Sequence, residues 1–217
     1  PSAGVTNITD MGGRTWRVTA NSIRRPGAAA DTTSYVTSGN TLTATIEGVT
    51  TTYNFATSGS TRTTTITNPL NQVSTVVSDL NAGRPTSVTD PLNRTTSYQY
   101  DGSGRLTRVT QPEGNYVQYG YDARGNVTTT TAVAKAGSGL ANIVSSATYD
   151  AFCANPKTCN QPLSTTDPRG NVTDYTYDPT HGGVLTVTAP AAAAGGVRPQ
   201  SRYSYTLLNG KYLLTGT

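Results

Sequence analysis

At 217 residues with a formal net charge of +4, the chain is long enough for one all-β domain or for part of a longer array. Val, Leu, Ile and Phe make up roughly a sixth of it, below the level of a dense core, and the low net charge argues against disorder. Thr supplies roughly a fifth of the residues, beside 13 Tyr, 22 Gly and 12 Pro, so the composition is that of many short strands punctuated by turns.

The basic residues are scattered, and their densest cluster is Arg24-Arg25. No concentrated footprint for nucleic acid is expected from that pattern. No apolar run approaches the length of a membrane span. The chain opens at Pro1 with neither an initiator Met nor a signal peptide, and it reads as excised from something longer.

Residues 1–50 form a β-meander of degraded regularity. Thr9-Asp10-Met11-Gly12-Gly13-Arg14 parallels Thr89-Asp90-Pro91-Leu92-Asn93-Arg94, and Arg24-Arg25-Pro26-Gly27 with the following Ala run reads as a loop. Thr37-Ser38-Gly39-Asn40 and Glu47-Gly48 read as tight hairpin turns on either side of Leu42–Ile46.

Residues 51–217 form the array proper. Pro turns fall at Asn68-Pro69-Leu70-Asn71, Asp90-Pro91-Leu92-Asn93, Gln111-Pro112-Glu113-Gly114 and Asp167-Pro168-Arg169-Gly170. A second kind falls at Asn81-Ala82-Gly83-Arg84, Asp101 to Arg105, Asp122 to Asn126 and Asp178 to Gly183. Tyr100 to Tyr121, Asp101 to Asp122 and Gly104 to Gly125 are each 21 residues apart, and Pro69 to Pro91 is 22. The unit is therefore two strands and two turns. Asp or Asn at the first turn position accepts from the backbone two residues on. Pro at the second presets φ, and Gly or Asn at the fourth takes positive φ. Asp90, Pro91, Asp101, Gly104, Arg105, Asp122, Gly125, Asp167, Pro168, Gly170 and Asp178 are accordingly the repeat-defining turn residues.

Tyr53-x-Phe55, Tyr98-x-Tyr100, Tyr119-x-Tyr121, Tyr175-x-Tyr177 and Tyr203-x-Tyr205 each place two rings on one face of the strand entering a turn. If these strands are neighbours, the rings are expected to form a cross-strand aromatic ladder. Leu106 and Val109 have opposite parity, so on the return strand either a bulge intervenes or both faces are partly covered. Enlarged loops are expected near 135–142, 152–162 and 189–199, where any binding specificity would lie.

Cys153 and Cys159 have five residues between them, a spacing that fits neither a zinc knuckle nor a redox pair. A local disulfide closing an enlarged turn is the favoured reading, stabilising by about 2 kcal/mol and placing this part of the protein outside the cytoplasm. The alternative is two free thiols. The single His, His181, reads as a turn residue, Asp167 as a repeat turn and Asp174 as a lone exposed charge. With no phosphate loop, nucleophile elbow or nucleophile–base pair, no catalytic, cofactor-binding or metal-ligating residue is assigned, and the chain is read as non-enzymatic.

Tyr-Asp-x-x-Gly-Arg-Leu, then Val-Thr-x-Pro-x-Gly and Tyr-x-Tyr-Asp at this spacing, clearest at 98–127 and 165–187, resembles the YD-repeat (Rhs-repeat) family. The resemblance implies antiparallel β-hairpin repeats winding into a spiralling extended sheet, part of a shell, barrel or fibre. It also implies a secreted, periplasmic or cell-surface bacterial protein, whose partners are further repeats of its own chain and an effector enclosed elsewhere in it. The family's self-cleavage segment has no counterpart in this sequence. Two readings stand: a structural wall, or a module binding glycan or a surface protein, with open sheet edges offering a route to self-association.

Overall fold

Chains rich in Thr, Val and Tyr at alternating positions favour the pleated backbone, where branched side chains keep their rotamers. The structure, a computed structural model, describes residues 4–217, and among these there is no helix. The chain divides into two units, Pro1–Tyr98 and Gln99–Thr217.

The first unit runs through β1 (Thr6–Thr9), β2 (Thr15–Val18), β3 (Ser22–Arg24), β4 (Thr33–Ser38), β5 (Thr41–Ile46), β6 (Val49–Ser58), β7 (Thr61–Thr67), β8 (Val73–Asp79) and β9 (Arg84–Thr89) into the start of β10 (Thr95–Tyr100). Each strand pairs antiparallel with the next. The second unit contains β11 (Leu106–Thr110), β12 (Tyr116–Tyr121), β13 (Val127–Val133), β14 (Ile143–Thr148), β15 (Ser164–Thr166), β16 (Val172–Tyr177), β17 (Val184–Thr188) and β18 (Gln200–Arg202). These also pair in succession. A hairpin of its own follows, β19 (Ser204–Leu208) with β20 (Lys211–Gly216). The all-β meander of consecutive hairpins is the class the sequence predicts.

Register assigns the residues to two unlike faces. In the first unit Ser38, Thr41, Asn54, Thr65, Thr75, Thr89 and Thr95 line up across β4 to β10, one small polar residue per strand. Hydroxyl pairs such as Thr45–Thr50 at 3.0 Å and Thr89–Thr95 at 2.9 Å bond across this face. Opposite lie the bulkier groups: Leu42, Tyr53 and Ile66 in one row, Phe55, Thr64, Val76 and Val88 in the next. Such cross-strand pairs contribute about 0.2–1 kcal/mol each.

Among the described residues only Ala44 and Cys159 are buried. Stability must then come from the strand ladders, the half-buried bulky rows and the turns.

The same register separates the aromatic pairs from one another. Because a return strand follows every Tyr strand, Tyr53 faces Leu42 and Ile66, Tyr119 faces Thr130, and Tyr175 faces Val187. Bulges at Gly120/Tyr121 and Thr176/Tyr177 put one extra residue, Thr128 or Leu185, into the return strand. The added residue reverses side-chain parity there.

Candidate functional site

The recurring acidic residues are the first candidates for chemistry, and their surroundings decide what they do. At Asp101 the carboxylate Oδ1 accepts from the backbone N–H of Ser103 and of Arg105, both at 2.9 Å, while Oδ2 accepts from Arg105 Nε at 2.7 Å. The backbone closes the same loop: Asp101 N–H donates to Arg105 O at 2.9 Å, and Gly104 N–H donates to Asp101 O at 2.8 Å. Gly104 has φ 79°, which a residue with a side chain adopts only at a cost.

Asp10, Asn68, Asp90, Asp122 and Asp167 repeat this latch with the same two backbone donors. The Pro turns and the Tyr-Asp turns, distinct in sequence, are thus one turn in geometry. Pro91 and Pro168 occupy its second position, where no N–H is needed. Its fourth position has positive φ throughout, as at Asn93 (60°), Gly125 (94°) and Gly170 (82°). The fifth position carries a planar donor that returns to the other carboxylate oxygen: Arg94, Arg105, Asn126 or Asn171. Asp178 heads a turn one residue longer, with Thr180 N–H on its Oδ1 and Gly183 O taking its own N–H. In the turn after β8 the cap is Asp79, whose Oδ1 accepts from Asn81 and Ala82, rather than Asn81 itself.

These bonds hold the carboxyls ionised. Asp101 lies below its ordinary range because of the Arg105 backbone N–H and then its guanidinium. Asp90 is lowered first by the Arg94 side chain, Asp167 by the Asn171 amide and Asp178 by the Thr180 N–H. At Asp122 burial pushes upward, and the Asn126 and Arg124 donors together outweigh it. A general acid would need the opposite shift.

The tyrosines act through their hydroxyls. Tyr121 donates to Leu106 O at 2.6 Å, 15 residues upstream, and Tyr149 to Val127 O at 3.2 Å. Tyr177 donates to Pro162 O at 2.7 Å, and Tyr205 to Val184 O at 3.1 Å. Each of these four phenols therefore reaches the segment that leaves the previous turn or loop. The turns become a column joined by hydroxyl stitches. Arg105 adds a second stitch, from Nη1 to Asp122 O at 2.9 Å, with its guanidinium 4.9 Å from the Tyr121 ring centroid. Among the other paired rings, Tyr175 stacks on Tyr177 at 6.5 Å within one strand, and Arg62 lies over Phe55. Tyr53 is on β6, Tyr98 and Tyr100 on β10, and Tyr119 on β12. Tyr203 precedes β19 and gives its N–H to Leu185 O at 2.8 Å.

The segment between β14 and β15 stands in this column where a short turn would otherwise be. Cys153 and Cys159 are joined there by a disulfide. Arg124 inserts its guanidinium among the loop carbonyls, donating to Asp150 O, to Ala151 O at 3.1 Å and to Cys159 O at 3.3 Å. On the other side Asn155 reaches Pro179 O at 2.7 Å and Gln161 reaches Gly182 O at 2.8 Å. His181 belongs to the next turn. Its Nδ1 accepts from Gly183 N–H at 3.0 Å, and its ring lies 4.1 Å from Tyr212 and 4.7 Å from Tyr205, tying that turn to the last hairpin.

One expectation is corrected outright. Asp174 is not a lone charge: Arg198 from the 189–199 loop forms an ion pair with it, and also donates to Ala189 O at 3.0 Å and Thr188 O at 2.9 Å. No local pattern announces this pair, since the partners are 24 residues apart. Beyond Arg105, the planar donors at the fifth turn position, Arg14, Arg94, Asn126 and Asn171, recur visibly in the sequence, while Gln72 stands there as an acceptor from the Asn68 amide. Among the described residues no group of three or more His, Cys, Asp or Glu is placed to hold a metal. A shallow open hollow over Thr128–Thr130, Ser145, Ser146 and Thr166 has Asp167 at its rim, and that carboxylate is already engaged by its own turn. No described helix is long and apolar enough to cross a membrane.

Residues 81–115 and 100–136 match the family described as RHS Repeat. No curated protein sequence matches the chain. Among solved structures, the crystal structure of TcdB2-TccC3-Cdc42 resembles it with a TM-score of 0.51 at 16% identity, over 94% of this chain and 11% of that one. The crystal structure of TcdB2-TccC3 gives 0.46 at 14% identity, over 98% of this chain and 16% of that one. The chain thus spans a small part of these structures' length. At 16% identity the likeness to the first is one of fold.

Proposed function

We propose, since this chain carries RHS (YD) repeats, that it is a non-catalytic structural wall, part of a longer secreted, periplasmic or cell-surface bacterial protein. The observation that carries this reading is how its reactive groups are used. Turn carboxylates are taken up by their own backbone, and Tyr121, Tyr149, Tyr177 and Tyr205 by the neighbouring strand. Groups so engaged hold the sheet in register and have little left to offer a substrate. The 1–50 and 51–217 stretches are a degenerate and a regular portion of that wall.

Its principal partner is the remainder of its own chain. Leu207, Leu208, Leu213 and Leu214 on the last hairpin are each about half exposed, the surface a following repeat would cover. An effector enclosed by the completed wall is the cargo this reading assigns. The Cys153–Cys159 disulfide supports an oxidising compartment.

The competing reading is a glycan-binding module. Titrating the chain against a panel of soluble glycans separates the two. A wall gives no saturable binding. Saturable binding abolished by replacing Tyr119 and Tyr175 with Ala would overturn the proposal in favour of a binding module.

A further inference from the structure

The strand ladder is short at β15. Three residue pairs join β14 to β15 and three join β15 to β16, against seven between β6 and β7. Lateral continuity here falls to the loop 149–163. On one side its carbonyls receive Arg124, and Asn160 receives Asn126 at 3.2 Å. On the other, Asn155 and Gln161 reach into the turn that starts at Asp178. These bonds require the loop's groups to keep fixed directions, and the loop has no strand of its own to fix them. What fixes them is the Asp150 cap on Phe152 and Ala154, the turn at Asn155, and the Cys153–Cys159 bond that closes the ring.

The two sulfurs are not equivalent. Cys159 is 1% exposed, the most buried side chain among the described residues. Cys153 is only half-buried, and its φ of 51° lies in the left-handed region that residues with a side chain disfavour. Cys153 is therefore the sulfur a reductant reaches, and its backbone relaxes once it is freed.

We propose that Cys153–Cys159 is a reducible lock on the sheet. Oxidised, it keeps loop 149–163 as a surrogate turn bridging the turns 122–126 and 178–183. Reduction by a dithiol releases the loop, uncouples those turns and opens the sheet at β15. In the reaction a reductant thiolate attacks Sγ of Cys153, the S–S bond breaks, and Cys159 leaves as the thiolate. The reductant's second thiol then displaces Cys153 and closes a cyclic disulfide. Two electrons and two protons pass to the protein, leaving two thiols. The inference goes beyond the wall reading and does not rest on it, because the 217-residue chain alone reports it.

The test is hydrogen exchange on the full chain, oxidised and with excess dithiol. Exchange at 143–177 and in the turns 122–126 and 178–183 should quicken by about 30-fold, the order expected for freeing a short closed loop, while 41–89 stays unchanged. The double substitution Cys153→Ser, Cys159→Ser should show the reduced pattern without reductant. Arg124→Ala, with the disulfide intact, should loosen 122–126 and leave 178–183 protected. Exchange within twofold in both redox states, or an equal rise at 41–89, overturns the proposal. The reductant arm starts from folded protein, so it decides the matter even if the double variant does not fold.

Discussion

Replacing Tyr121 by Phe removes one atom and one bond, the 2.6 Å donation to Leu106 O, and leaves the ring between its neighbours. A net hydrogen bond is worth about 0.5–1.5 kcal/mol, and a half-buried acceptor left without a partner moves the cost toward the upper end. The expected loss is therefore about 1 kcal/mol, read as a lower urea midpoint at unchanged slope. Tyr119→Phe is the control, because no hydrogen bond from its hydroxyl is seen among the described residues; it should cost less than about 0.3 kcal/mol. Tyr149, Tyr177 and Tyr205 make the corresponding stitches elsewhere in the column. Converting all four to Phe should cost about 4 kcal/mol if the sites act independently. That is a large share of the total stability. Equal costs for Tyr121→Phe and Tyr119→Phe would refute the stitch, and the tyrosines would then be acting through ring area alone.

Acid should weaken the protein in a defined window. Asp90, Asp101, Asp122, Asp167 and Asp178 all have folded pKa values below the ordinary carboxylate value of 3.8. Their contribution is thus complete above that value and is lost as pH falls through the lowered ones. The urea midpoint should be flat from about pH 7 to 5 and fall below about pH 4; a midpoint that rises on acidification contradicts the latch. Asp101→Asn should keep most neutral-pH stability, because an amide oxygen still accepts from Ser103 and Arg105 as Asn68 does from Leu70 and Gln72. The same substitution should blunt the acid dependence. Gly182→Ala should destabilise by about 1–3 kcal/mol, since it adds a Cβ in left-handed backbone against the loop. At φ +79° that Cβ would lie 2.7 Å from Lys157 O, whereas at Gly102 it would meet nothing within 4 Å. Gly102→Ala should be near neutral in the same thermal melt.

The turns were the legible part of this chain because their chemistry is local. Asp101, Gly104, Pro91 and Asn93 each answer a demand made within five residues, and such demands recur visibly in a linear sequence. The Tyr pairs were legible as a face, since alternation is also local, but their partners were not. Tyr121 meets Leu106 and Arg198 meets Asp174 across 15 and 24 residues. Those meetings depend on how one hairpin stacks beside the next. The alternation of Tyr strands with return strands, implicit in the 21-residue unit, already placed Tyr119 against Thr130 rather than another ring. Arg124 is the clearest case of a role hidden from sequence: it occupies an unremarked turn position and acts on a loop 26 to 35 residues away.

The wall itself is tested most directly by asking whether its two faces see the same solvent. Thr63 and Thr64 are adjacent on β7 and lie on opposite faces, Thr63 beside Ala56 and Val77, Thr64 beside Phe55 and Val76. Single Cys substitutions at the two positions, placed in the full-length protein, can be labelled with a small maleimide and with one carrying a large polyethylene glycol chain. The account predicts that both positions react with the small reagent and that only one reacts with the large one. Equal reaction of Thr63→Cys and Thr64→Cys with the large reagent would contradict it, because a sheet open on both sides encloses nothing.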